Sequence, residues 1–209
     1  MADNHARVDL FWSVRSPYCY LALHRLRLLA QELPLELVLR PVYPMGLRRP
    51  GQHGPPGSAK ASYNFIDAAR VAKMLGLPFH SPLPDPLDAR PDGETHAHVL
   101  TRLLVVADSF GKSLELADKF AVAIFAKEDD WSKEDALSDC IKNVGLDAAH
   151  LVAELSEHPD PIARRLQENT EALEAAGHWG VPVMVWNNEP FYGQDRVAVL
   201  AWRLRQQLL

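Results

Sequence analysis

The sequence predicts an α/β fold built from the two ends of the chain, with an all-helical block inserted between them. Three observations carry that expectation. The first 44 residues read strand-helix-strand, residues 161–209 read helix-strand-strand-helix, and no strand pattern interrupts residues 45–160.

Residues 8–14, "VDLFWSV", are β-branched and aromatic and apolar on both faces, as a buried central strand is. Residues 18–33 carry Tyr20, Leu21, Leu23, Leu26, Leu28, Leu29 and Leu33, a wide helical stripe that Pro34 closes. Residues 35–42 alternate Leu35, Leu37 and Leu39 with Glu36, Val38 and Arg40, which predicts a second strand. A unit this short implies parallel strands with a right-handed crossover.

Residues 44–57, "PMGLRRPGQHGPPG", and 79–93, "FHSPLPDPLDARPDG", read as irregular proline-rich loops. Helical spacing marks residues 59–75, 94–110 and 114–127. Ser132 to Asp135 has the form of a capping box for a helix ending near Gly145, and Asp147 starts a short helix. Asp160-Pro161 opens another, with Pro at its first position, that stops at Gly177. Val181 to Trp186 is a strand, Asn187-Asn188-Glu189 a turn, and Pro190 to Tyr192 a short return suited to a sheet edge. Asp195 is the expected cap of the last helix. With the insert excised, this order is that of a thioredoxin-like fold. The expected boundaries are residues 1–44 and 161–209 for the thioredoxin-like domain and 45–160 for the helical insertion.

The bulk numbers exclude several classes. The 209 residues are 47% hydrophobic and 23% charged, enough for a sizeable core. No run approaches the ~20 apolar residues of a membrane helix. "MADNHARVDLFW" lacks the basic-then-apolar pattern of an export signal, so a cytoplasmic location is expected. A net charge of −5 offers no footprint for nucleic acid or for an anionic membrane. Cys19 and Cys140 have neither zinc-site nor C-x-x-C spacing. His96 and His98 in "HAH" read as a solvated helix start, and no metal site is expected.

The chemistry concentrates in three short motifs. In "RSPYCY", Ser16 reads as an N-cap and Pro17 as the first helical residue. A helix N-terminus at the end of a buried strand also offers free N–H groups and a positive dipole end, which stabilise a thiolate. Cys19 reads as packing. Ser16 occupies the partner position of a C-x-x-C motif, so disulfide exchange through that motif is excluded. In "GVPV", a cis Pro182 would leave the Val181 N–H and C=O free to pair with an extended, peptide-like ligand. In "GQDR", helix N–H groups and Asp195 suit the two charges of an amino-acid end.

Together, "DLFWSVRSPYCYLAL" and "GVPVMVWNNEPFYGQDRVAVL" resemble the 2-hydroxychromene-2-carboxylate isomerases. Those enzymes are relatives of the kappa-class glutathione transferases and, more distantly, of the DsbA oxidoreductases. The resemblance implies glutathione as cofactor, with Ser16 at its sulfur. It implies Val181 and Pro182 at the glutathione backbone and Gln194 and Asp195 at the γ-glutamyl end. "PPGSAKASY" resembles the kappa-class segment whose lysine reaches glutathione, which points to Lys60. Arg15 and Tyr18 beside Ser16 are candidates for substrate contact. The implied activity is isomerisation of 2-hydroxychromene-2-carboxylate or a similar aromatic-catabolism intermediate, by reversible addition of the glutathione thiolate. The alternatives are a kappa-like transferase conjugating electrophiles, or a thioredoxin-like module without turnover. The partners implied are glutathione and a small aromatic or conjugated substrate, and relatives suggest a homodimer.

Overall fold

The computed structural model describes residues 5–51 and 59–208, and of residues 59–61 the backbone alone. Its centre is β1 (Ala6–Trp12), which pairs in parallel with β2 (Leu35–Pro41), from Ala6 opposite Leu35 to Trp12 opposite Pro41. The connection is α1 (Pro17–Glu32). On its other side β1 pairs antiparallel with β3 (Val183–Trp186), which in turn pairs with β4 (Glu189–Tyr192). The sheet order is β2-β1-β3-β4, so β1 is central and β4 lies at an edge. Pro190 sits on that edge, where a missing N–H breaks no ladder. Asn187 and Asn188, with φ of 50° and 62°, form the hairpin turn between β3 and β4, the left-handed pair that a tight hairpin favours.

After β2 lie α2 (Met45–Arg48), α3 (Ala59–Met74), α4 (His96–Asp108), α5 (Ser113–Ala126), α6 (Glu134–Lys142) and α7 (Ala148–Glu157). Then come α8 (Pro159–Ala175) and, after a 3₁₀ turn at Gln194–Arg196, α9 (Val197–Leu208).

Side chains alternate across a strand, and that alternation assigns the two faces of the sheet. Leu10 and Trp12 join Leu21, Leu23 and Leu26 of α1, Leu100 and Leu104 of α4, and Leu116, Phe120 and Ile124 of α5 in one continuous core. Phe11 points the other way and packs with Val42, Val183 and Leu173 of α8. Each fully buried side chain of this size contributes about 1.5–3 kcal/mol. Asn169 of α8 is buried within this packing, and its amide donates to Pro41 O at 2.9 Å, fixing the helix to the end of β2.

Four local expectations are corrected. The stretch 44–57 is not wholly irregular, because Met45–Arg48 forms a helical turn; residues 52–58 lie outside the described residues. The capping box does not form, since the Ser132 hydroxyl and N–H both go to Asp130 Oδ1, at 2.6 and 3.1 Å, and α6 starts only at Glu134. Helix α8 begins at Pro159 rather than Pro161. The "HAH" histidines are half-buried rather than solvated: His96 lies edge-on to Trp131, and His98 contacts Thr95 and Tyr43. Asp147 does cap α7, accepting from His150 N at 2.7 Å. Among the described residues, no helix is long and apolar enough to cross a membrane.

Candidate active site

Register places the three motifs at one end of the sheet. Phe11 of β1 lies opposite Val183 of β3, and Val183 lies opposite Tyr192 of β4. Just beyond those positions β1 runs into Ser13–Ser16, β3 is preceded by Val181-Pro182, and β4 is followed by Gly193. The Gly193 N–H donates to Pro182 O at 2.9 Å, tying the last two together.

Ser16 is the N-cap of α1, with extended backbone (φ −88°, ψ 114°) and Pro17 after it. Its Oγ accepts from Cys19 N at 3.3 Å and its N–H donates to Ser13 O at 3.2 Å. The side chain is half-buried, at the surface end of a buried strand. Cys19 is fully buried one turn inside. Trp12 Nε1 donates to its carbonyl at 3.0 Å, and Ser13 N–H points at its sulfur at 3.5 Å. Burial pushes the Cys19 thiol up to about 12, against the opposing pull of the Ser16 hydroxyl, the Ser13 N–H and the Arg48 charge. A helix N-terminus lowers a thiol pKa only where the sulfur is partly exposed. Here desolvation wins, and Cys19 remains a neutral thiol.

The Val181-Pro182 peptide is cis. Among the described residues, neither the N–H nor the C=O of Val181 has a hydrogen-bond partner, although the residue is half-buried. The segment before it is aromatic. His178 stacks on Tyr192 with ring centroids 3.6 Å apart and on Trp179 at 5.3 Å. His178 Nδ1 accepts from Gly180 N at 2.8 Å, folding the ring back over its own chain. The two rings press so closely on Gly180 that a Cβ there would lie 2.8 Å from Tyr192 Cε2 and 2.9 Å from His178 Cε1.

Gln194 is held by Arg25, whose Nη1 donates both to its backbone carbonyl and to its Oε1, the latter at 3.0 Å. Asp195 is not the helix cap expected. The chain reverses at Gly193 (φ +100°) into the 3₁₀ turn, so Asp195 sits inside that turn and α9 begins after it. Its exposed carboxylate folds over Gly193 and pairs with Arg196 at 3.3 Å.

Arg15 and Tyr18 are both engaged by residues between β2 and α4. Arg15 forms a bidentate pair with Asp85. The Tyr18 hydroxyl donates to Asp67 Oδ2 at 2.8 Å, and burial together with that carboxylate raises its pKa, so the phenol stays protonated. Lys60 falls in the first turn of α3, with its side chain outside the described residues.

The structure adds residues that the motifs did not point to. Arg48, at the end of α2, donates through Nε to Tyr43 O at 2.7 Å and through Nη2 to Trp179 O at 3.0 Å. Arg25, His178 and Tyr192 are the others. Only "GHWG", two aromatic rings between glycines just before the Val-Pro step, carried a local signal for any of them. Among the described residues, the one group of three potential metal ligands within 4.8 Å is Glu154, Glu157 and His158, in and just after α7. It includes neither His96 nor His98.

The likeness to known proteins covers nearly the whole chain. The chain is 24% identical over 208 residues to human glutathione S-transferase kappa 1, spanning 96% of this chain and 91% of that protein. Its fold matches a 2-hydroxychromene-2-carboxylate isomerase with a TM-score of 0.74 at 20% identity, over 96% and 95% of the two chains. It also matches the cytosolic disulfide reductase DsbM from Pseudomonas aeruginosa with GSH, with a TM-score of 0.66 at 18% identity, over 95% and 99%. The family model for the DSBA-like thioredoxin domain matches residues 7–205. With the match spanning residues 7–205 and the β1-Ser16-α1 and cis-Pro182-β3 arrangement in place, the chain belongs to the DSBA-like thioredoxin domain family.

Proposed function

We propose that this site binds glutathione and uses its thiolate as a recyclable nucleophile in a glutathione-dependent isomerisation. The observation that carries the reading is Ser16 itself. It is a hydroxyl at the N-cap of α1, at the sheet end where the Val181 N–H and C=O have no partner among the described residues. A protein thiol active in disulfide exchange would stand at position 16, and the only thiol nearby, Cys19, is buried and neutral. The reacting sulfur then comes from a bound cosubstrate. In this reading Ser16 Oγ donates to that sulfur, and the positive end of the α1 dipole favours its anionic form. Val181 suits the peptide-like backbone of glutathione, and the Gln194–Asp195 turn suits its amino-acid end. The likeness to the kappa transferase and the isomerase supports this reading.

In the reaction, the thiolate adds to a conjugated carbon of the substrate, forming a C–S bond as the double-bond electrons move to the carbonyl oxygen. Rotation about the resulting single bond follows. The enolate then re-forms the double bond and expels the thiolate, so glutathione is regenerated and no external redox partner is consumed. A substrate of the 2-hydroxychromene-2-carboxylate type meets these requirements once its hemiketal ring opens to the conjugated keto acid, the hemiketal proton passing to the phenol oxygen, and the aromatic surface of His178, Trp179 and Tyr192 suits a planar molecule. The same reading carries a cytoplasmic homodimer.

The test is calorimetric titration with glutathione together with the ultraviolet thiolate band, for the wild type and Ser16→Ala. Binding with a thiolate band lost in Ser16→Ala supports the reading; absence of binding to the wild type sinks it. A second reading keeps the site and conjugates glutathione to an electrophile, as the kappa likeness suggests. Stoichiometry separates the two, since only a transferase consumes glutathione.

A further inference from the structure

Among the described residues, the cations around this end of the sheet are neutralised or shared, with one exception. Arg15 is closed by Asp85, Arg49 by Glu174 at 2.7 Å, and Arg25 by Gln194. Among the described residues Arg48 has no acidic partner in contact; Glu174, which Arg49 closes, acts on it only electrostatically. Two of its three nitrogens are spent on the carbonyls of Tyr43 and Trp179, which lock the planar fork in one orientation. Its third, Nη1, is buried and has no hydrogen-bond partner among the described residues. A buried charged donor left unmade is costly and is rarely left so without a purpose.

The contacts of Arg48 put it beside the site. Trp179 is two residues before Val181, so Arg48 grips the segment that presents the free backbone of Val181. Arg48 is also within electrostatic reach of Cys19, one turn from Ser16. A fixed guanidinium nitrogen with no hydrogen-bond partner among the described residues, beside a site, matches one oxygen of a carboxylate.

We propose that Arg48 is a carboxylate-binding residue of this site, with Nη1 as the donor to a carboxylate of the bound ligands. This rests on the glutathione reading above. The carboxylate belongs either to the glycine end of glutathione or to an acidic second substrate. Arg48 thereby makes the site specific for an anionic ligand, and the carbonyls of Tyr43 and Trp179 serve to aim it.

The experiment titrates the wild type, Arg48→Lys and Arg48→Met with four probes. These are glutathione, its glycine ethyl ester, and cinnamate and cinnamide added to the glutathione-loaded protein. If the carboxylate is that of glutathione, the wild type binds glutathione about tenfold to a hundredfold more tightly than the ester, and Arg48→Met erases the difference. If it is that of the second substrate, the same contrast appears between cinnamate and cinnamide, with glutathione affinity unchanged. Arg48→Lys keeps the charge but loses the fork, and should fall between. The wild-type acid-against-neutral comparison needs no variant to fold, and equal affinities within both pairs overturn the proposal. So does an acid preference that Arg48→Met leaves intact. If the wild type binds no glutathione, the glutathione reading fails and this proposal goes with it. If it binds glutathione with no acid preference, this proposal alone fails.

Discussion

Arg15 and Asp85, 70 residues apart in the chain, meet in a two-pronged ion pair, Nε to Oδ1 at 2.7 Å and Nη2 to Oδ2 at 2.9 Å. The pair joins the turn that delivers Ser16 to the second proline-rich loop. Asp85 is itself set by its loop, accepting from Leu87 N at 2.9 Å. The loop that carries Asp85 therefore helps to place Ser16.

That link sets the first prediction. Arg15→Ala and Asp85→Asn should each destabilise the fold, with a coupling of about 1 kcal/mol in a double-mutant cycle measured by urea unfolding. Additive single effects would mean that the pair is a bystander.

Ser16 should show two separable effects. Ser16→Ala loses the cap bond to Cys19 N and should cost about 1 kcal/mol of stability. Ser16→Cys restores a C-x-x-C pair across the first turn of α1. The new thiol, half-exposed at the N-cap, should ionise below the ordinary thiol range and close a disulfide with Cys19. Insulin reduction should then appear where the wild type has none, and an inactive Ser16→Cys would count against the placement of Ser16.

Cys19 gives a pH prediction. Its thiol ionises near 12 when folded, against a reference of 9.0. Above pH 9 the unfolded chain releases a proton that the folded chain keeps, so the unfolded state binds fewer protons. Stability therefore falls as pH rises from 9 toward 12. Cys19→Ala should flatten part of that slope in thermal melts taken across this range. Tyr18, Tyr20, Tyr43 and Tyr192 are raised as well and keep the remainder. At pH 8 neither Cys19 nor Cys140, both buried, should react with a thiol reagent until denaturant is added.

Gly180→Ala tests the aromatic floor. The added methyl meets the rings of Tyr192 and His178 at under 3 Å and must push one of them aside. A loss of about 1–3 kcal/mol is expected, with a changed near-ultraviolet circular dichroism spectrum. An unchanged spectrum and melting point would show that the stack is loose.

The elements were legible where the pattern was local. The apolar run of β1, the stripe of α1 closed at Pro34 and the Asn-Asn turn before an edge proline each follow from steric and hydrophobic rules acting over a few residues. Ser16 as a cap before Pro17 belongs with them. Element ends were less legible, because a side chain that competes for the same donor decides them. Asp130 took Ser132 away from α6, and the reversal at Gly193 put Asp195 inside a turn instead of at its start.

By itself, the sequence determined that a strand–helix unit with serine at the helix entry, and a Val-Pro strand with a Gly-x-Asp turn, lie at opposite ends of one α/β chain. Sequence separation carries no information on what touches what, so only the tertiary structure decided how the charges are shared. It gave Asp85 to Arg15, Asp67 to Tyr18 and Gln194 to Arg25, and left Arg48 with a buried nitrogen that has no hydrogen-bond partner among the described residues. It also decided that Cys19 is inert, since the pKa of a thiol at a helix start depends on how much water reaches the sulfur, and here none does.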